Sequence, residues 1–126
     1  MSKKLKILLA EDDPFLIRYM QTLMGRWDCD LAVEQTAERA IQRAATFRLD
    51  ICLLGFVTPG MDGAKAGIEL LRVSPGTQIV LFNESVPADV MSDLKARGYN
   101  FRTLAAPFDE EELRAVCFPW QEETSR

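Results

Sequence analysis

Short apolar runs alternate with amphipathic helical patterns along this 126-residue chain, and that alternation leaves few folds open. Residues 5–10, 29–33, 51–54, 79–82 and 101–105 read as strands, the last of them weakly. The run 51–54 is apolar without alternation, as expected of a central parallel strand covered on both faces. The Glu11-Asp12-Asp13-Pro14 turn opens the first helix, with Asp13 as N-cap and Pro14 in the first helical position. Phe15, Leu16, Tyr19, Met20, Leu23 and Met24 form its expected apolar face, and Gly25 marks its end. Thr36 caps a second helix to about residue 47, with Ala37, Ala40, Ile41 and Ala44 inward. A loop over 55–63 with a Pro59-Gly60 turn leads to a third helix through Ile68, Leu70 and Leu71, broken by Ser74-Pro75-Gly76. Residues 87–97 read as a fourth helix closed by Gly98, and 109–118 as a fifth stopped by Pro119.

Five strand–helix units with short connections and right-handed crossovers close in few ways. The expected fold is α/β and flavodoxin-like, a (βα)5 three-layer sandwich with a parallel sheet of order 2-1-3-4-5. Sites in such sheets lie at the carboxyl ends of the strands, where the order reverses between strands one and three. Here those ends carry Glu11-Asp12-Asp13 and Gly55.

Length and composition narrow the function. The chain reads as one domain over residues 1–126, with no effector domain and enough apolar content (48%) for a core. A net charge of −4 argues against a nucleic-acid backbone binder. Lys3, Lys4 and Lys6 begin the chain, but the apolar run stops at Glu11, too soon for a signal peptide, and no stretch is long enough to span a membrane. The expectation is a soluble, cytoplasmic protein. Cys29, Cys52 and Cys117 lack metal-site spacing, and Cys52 reads as a buried structural thiol. Histidine is absent, which removes imidazole base catalysis and histidine metal ligation.

The motifs ILLAEDDP, DICLLG, TPGMDG, IVLFN and APFDEEEL, in that order and spacing, resemble the receiver domains of two-component response regulators from Lys6 to about Leu113. The resemblance implies a phosphorylated aspartate at the end of strand three, where this chain has Gly55. Glycine has no side chain with which to attack phosphorus or carry an acyl phosphate. The family's acidic Mg²⁺ pair matches Glu11 and Asp12, with the Val57 carbonyl as a further oxygen. With the aspartate gone, Mg²⁺ binding is expected to be weak or vestigial and no other cofactor is expected. The same acidic run also reads simply as a favourable helix start.

Two further family positions differ. The hydroxyl residue ending strand four matches Asn83, with Ser85 two residues on, and the lysine before the cis-proline matches Ala106, with Lys65 and Lys95 the nearest substitutes to consider. The aromatic switch residue of strand five falls at Thr103, with one extra residue after Gly98. Pro59, Gly60, Asp62 and Gly63 keep the loop after strand three, and Pro107-Phe108 keeps the turn into the last helix, where a cis Pro107 is implied. The family's partner surface, the fourth helix, fifth strand and fifth helix, would carry Asp89, Asp93, Lys95, Arg97 and Arg102 against Glu110, Glu111 and Arg114. That mixture reads either as a homodimer zipper or as a solvated surface. Phe118 and Trp120 read as core cover or as an exposed aromatic anchor.

The leading expectation is a non-enzymatic, stand-alone pseudo-receiver that works by protein–protein contact, with a histidine kinase, another signalling protein or a second copy. One alternative is residual phosphotransfer to Asp12, Asp13 or Asp62. Another is small-ligand sensing at the switch point.

Overall fold

The computed structural model describes residues 4–58, 61–83 and 86–118. Five parallel strands, β1 (Leu5–Ala10), β2 (Cys29–Glu34), β3 (Ile51–Gly55), β4 (Gln78–Asn83) and β5 (Arg102–Ala105), form one sheet in the order β2-β1-β3-β4-β5. The helices between and after them are α1 (Pro14–Met24), α2 (Ala37–Thr46), α3 (Gly63–Val73), α4 (Ala88–Ala96) and α5 (Glu110–Cys117). The flavodoxin-like order expected from the alternation is therefore the observed one.

The period of two along each strand builds both cores. Ile7, Leu9, Leu53, Val80, Phe82 and Leu104 face α1 and α5, where Met20, Met24, Leu113 and Cys117 meet them. Leu8, Ala10, Cys52, Leu54, Ile79 and Leu81 face the other way, toward Ala40 of α2, Leu70 of α3 and Leu94 of α4. Each fully buried aliphatic side chain contributes roughly 1.5–3 kcal/mol relative to exposure. Cys52 is wholly buried, and that burial pushes its thiol pKa up to about 12, as befits a structural residue.

Local chemistry sets the helix ends. Asp13, Thr36, Asp62 and Asp109 each cap a helix with a side-chain oxygen, and Asp109 completes a reciprocal capping box with Glu112. Gly98, after α4, has φ of +92°, a conformation that L side chains rarely adopt. Helix α4 is the least anchored of the five, with no side-chain cap and Leu94 as its one buried residue.

Three features depart from the sequence reading. Phe15 and Tyr19 are 84% and 42% exposed, because they line the open cleft at the carboxyl ends of the strands while Leu16 and Ile17 between them pack on the core. The loop after β3 contains a short antiparallel ladder, Val57–Thr58 against Met61–Asp62. Helices α4 and α5 are also a residue or so shorter at each end than expected. Phe118 packs into the core against Trp27 in a T-shaped contact, whereas Pro59, Gly60, Ser85, Pro119 and Trp120 lie outside the described residues.

Candidate functional site

The strand order reverses between β1 and β3, and a cleft of about 460 Å³ opens there at their carboxyl ends. Its floor carries Gly55, Phe82, Asn83 and Ala106, and Glu11, Asp13, Phe15 and Tyr19 stand along one wall. Gly55 pairs with Phe82 across the β3–β4 ladder. The Ala106 amide donates to the Asn83 carbonyl at 2.8 Å, which draws the β4 and β5 ends together. The three positions singled out from the sequence therefore do meet in one cleft.

Glu11 follows the last residue of β1 and is only 7% exposed. Its Oε2 accepts from the backbone N–H groups of Asp12 at 3.0 Å and Asp13 at 2.9 Å. Burial raises the carboxyl pKa above its ordinary 4.5; the two N–H donors oppose that rise and the Asp12 carboxylate adds to it. Asp13 spends Oδ1 on the Phe15 amide at 2.9 Å, as the cap of α1. Glu11 and Asp13 line the cleft, while Asp12 is not among its lining residues. Of the Glu11–Asp12 pair taken from the sequence, Glu11 lines the cleft and Asp12 is the exposed residue beside it.

Several other candidates fall elsewhere. Asp62 caps α3 by accepting from the Lys65 amide at 2.9 Å. Lys65 lines a separate groove between α3 and α4, and no lysine or arginine lines the cleft among the described residues. Thr103 is exposed on β5, opposite Leu81. The Ala106–Pro107 bond is cis, as implied for this position. Beside it the Tyr19 hydroxyl donates to the Phe108 carbonyl, and the two rings pack with centroids 5.8 Å apart.

The residues named for the α4–β5–α5 face are exposed except Glu110, which is half-buried. Asp93 pairs with Arg97, and Glu110 with Arg114, each along one helix at 3.4 Å. Glu110 also accepts from the Trp27 indole N–H at 3.2 Å, which holds its carboxyl below the usual range, and Arg114 lies over the Trp27 ring. These two residues thus turn toward the α1–β2 connection. Asp89, Lys95, Arg102 and Glu111 form no ion pair among the described residues.

Magnesium asks for near-octahedral oxygen ligation with one or two carboxylates beside waters or phosphate oxygens. The described residues contain no group of three acidic, histidine or cysteine side chains able to hold a cation. Glu11 has one oxygen committed to two amides, Asp13 has one committed to its helix, and Gly55 adds no side-chain donor. This donor set does not fit Mg²⁺ well. Sequence reasoning missed the aromatic character of the site: Phe15, Tyr19, Phe56 and Phe82 all line it. The position of Phe15 directly after the helix-opening Pro14, close in sequence to the carboxyl end of β1, was the available signal.

An open parallel sheet of this order, with its cleft at the β1–β3 reversal, defines a doubly wound α/β domain of the flavodoxin-like class. The chain belongs to the response regulator receiver domain family, whose model matches residues 7–117. It is 25% identical over 114 residues to the transcription factor SKN7 of Saccharomyces cerevisiae, covering 90% of this chain and 18% of that protein. It is 28% identical over 111 residues to the DNA-binding response regulator MtrA of Mycolicibacterium smegmatis, covering 87% of this chain and 47% of that protein. The chain thus spans less than half the length of either relative. Among solved structures, the signal receiver domain of an HD domain-containing protein from Pseudomonas fluorescens Pf-5 superposes with a TM-score of 0.84 at 21% identity, covering 98% of this chain and 100% of that one. The receiver domain of a sensor histidine kinase from Pseudomonas aeruginosa PAO1, solved with a magnesium ion coordinated in its active-site cleft, superposes at 0.80 with 22% identity, covering 94% and 98% of the two chains. No helix among the described residues is long and apolar enough to cross a membrane.

Proposed function

We propose that this receiver domain is a pseudo-receiver, which signals without aspartyl phosphorylation, by binding another signalling protein through the mouth of its cleft. It is not an enzyme in this reading. One observation carries it: the cleft keeps the receiver framework but has glycine at the end of β3 and no lysine or arginine on its described lining. A phosphoryl acceptor needs a nucleophile, and the charge of a transferring phosphoryl group needs compensating donors. Substitute acceptors are poorly supported, since Asp13 and Asp62 each cap a helix through one carboxylate oxygen and Asp12 is outside the cleft lining.

The docking surface follows from exposure. Phe15, Leu16 and Tyr19 on α1 border Ala106 and Pro107 in two adjoining depressions, and an exposed aromatic beside a small apolar patch is the composition of an interface centre. The α4–β5–α5 face offers less, because two of its ion pairs close within single helices. A histidine kinase is the partner class favoured by membership of the receiver family. The test is binding of the purified chain to a panel of histidine kinase cores without ATP. We expect a kinase that binds the parent chain and loses affinity by roughly tenfold or more with Phe15→Asp, since a central aromatic anchor is worth ~1–2 kcal/mol or more. Binding that requires ATP, or that ignores Phe15→Asp while failing with Arg102→Glu, would contradict this assignment.

A further inference from the structure

We propose that the cleft at the carboxyl ends of β1, β3 and β4 binds an organic cation, the guanidinium or alkylammonium head of a small ligand or of a partner's side chain. The inference shares the cleft with the proposed function but does not depend on a protein partner. Three observations converge on it. The charge of the described lining is one-sided, with Glu11 and Asp13 and no lysine or arginine. Glu11 is 7% exposed, so its carboxylate works in a partly desolvated setting where attraction to a cation is less screened than at the surface. Aromatic residues share that lining: Phe15 is 84% and Tyr19 42% exposed, with Phe56 beside them and Phe82 nearly buried beneath.

The choice between a hard metal ion and an organic cation turns on those walls. Mg²⁺ surrenders its waters reluctantly and needs several oxygens in fixed geometry, which this lining does not gather. A guanidinium or alkylammonium ion is more weakly hydrated than Mg²⁺ and is attracted to ring faces as well as to carboxylates. A cleft of about 460 Å³ lies within the range that holds small ligands. With Gly55 on its floor, no side chain rises from the end of β3 to fill it. Phe15, 84% exposed on the same lining as the two carboxylates, is the ring most open to contact with an entering cation.

The test is titration of the ¹⁵N-labelled chain, followed by the amide signals of Gly55, Phe56, Asn83 and Ala106, with N-acetyl-arginine amide and with butane-1,4-diamine. Butanol, sodium chloride and magnesium chloride at matched ionic strength serve as controls. Saturable shifts at these amides with either cation support the site. Response to the arginine derivative alone assigns the cation to a partner's side chain, and response to the diamine alone assigns it to a free amine. Glu11→Gln, which keeps an oxygen for the two backbone donors, should weaken binding about tenfold, as for loss of a charge-assisted contact. Phe15→Ala, at an exposed position where folding is not at stake, should weaken it about two- to fivefold. No saturable shift with either cation, shifts reproduced by the salts, or affinity unchanged in both variants would overturn the inference. A chain that binds the cations but no kinase keeps this site and loses the docking reading, and the converse result separates them the other way.

Discussion

Gly63 and Glu11 show how far individual residues shape the cleft. The Gly63 amide donates to the Phe56 carbonyl at 2.7 Å, and a Cβ added at Gly63 would come within 2.7 Å of the Phe56 Cα and 2.9 Å of the Gly55 oxygen. Both obstacles are backbone, so the start of α3 and the end of β3 can approach this closely only through glycine. Gly63→Ala should therefore destabilise the fold by about 1–3 kcal/mol, the usual cost of forcing a methyl group into packed structure, as read by urea denaturation. Unchanged stability would mean that the two segments are not so tightly apposed. Glu11 makes a prediction of opposite sign. Its folded-state pKa is raised, chiefly by burial, so the protonated form is favoured by folding and the ionised form penalised. The stability from protonation is fully present below the ordinary value of 4.5 and is lost as pH rises through the raised value. Relative to the parent, Glu11→Gln should gain stability as pH is raised from the acid side of that window to neutrality. Denaturation midpoints measured across the window check this, and a variant that loses stability along that rise would show that the backbone hydrogen bonds to the charged form dominate.

The secondary-structure elements differ in how they are held. Helix α5 has a capping box, buried Leu113 and Cys117, and the Glu110 and Arg114 contacts to Trp27, whereas α4 has no side-chain cap and only Leu94 fully buried. Amides of α4 should exchange with deuterium faster than those of α1, α3 and α5, because few buried contacts oppose its local opening. Hydrogen exchange followed by mass spectrometry reads this directly, and equal protection across the helices would contradict it. These elements were largely legible in the sequence. Strand periodicity and the caps Asp13 and Thr36 placed the helices and strands to within a residue or two, and Asp109, read as the first residue of the last helix, is its cap. The ladder after β3 was not legible, because a pair of two-residue strands carries too little periodic signal to register. The apolar face of α1 was over-read for a related reason. Spacing says which residues share a helical face, but not how deeply each is covered: Leu16 packs on the core while Phe15 beside it is 84% exposed.

In the molecule taken whole, a receiver-family fold carries a cleft lined by Gly55, Asn83 and Ala106, and our proposal is that its chemistry has changed. The meeting of Gly55, Asn83 and Ala106 was readable from motif order, because fixed strand–helix units bring the carboxyl ends of β3, β4 and β5 together. The aromatic lining was not, since which side chains of α1 turn to the open cleft and which to the core depends on how the helix packs rather than on spacing. The remodelled cleft is the basis for the claim that this domain acts without phosphorylation. Intact-mass analysis after incubation with acetyl phosphate, and separately with a phosphorylated histidine kinase, tests that claim most directly when run on the parent chain and on Gly55→Asp. We expect no phosphoryl adduct on the parent and at most slow, substoichiometric labelling of Gly55→Asp, because restoring one carboxylate supplies neither a lysine at Ala106 nor a hydroxyl at Asn83. A stoichiometric adduct on an acidic residue of the parent chain would contradict it, and rapid, stable labelling of Gly55→Asp would show that the surrounding site was never remodelled.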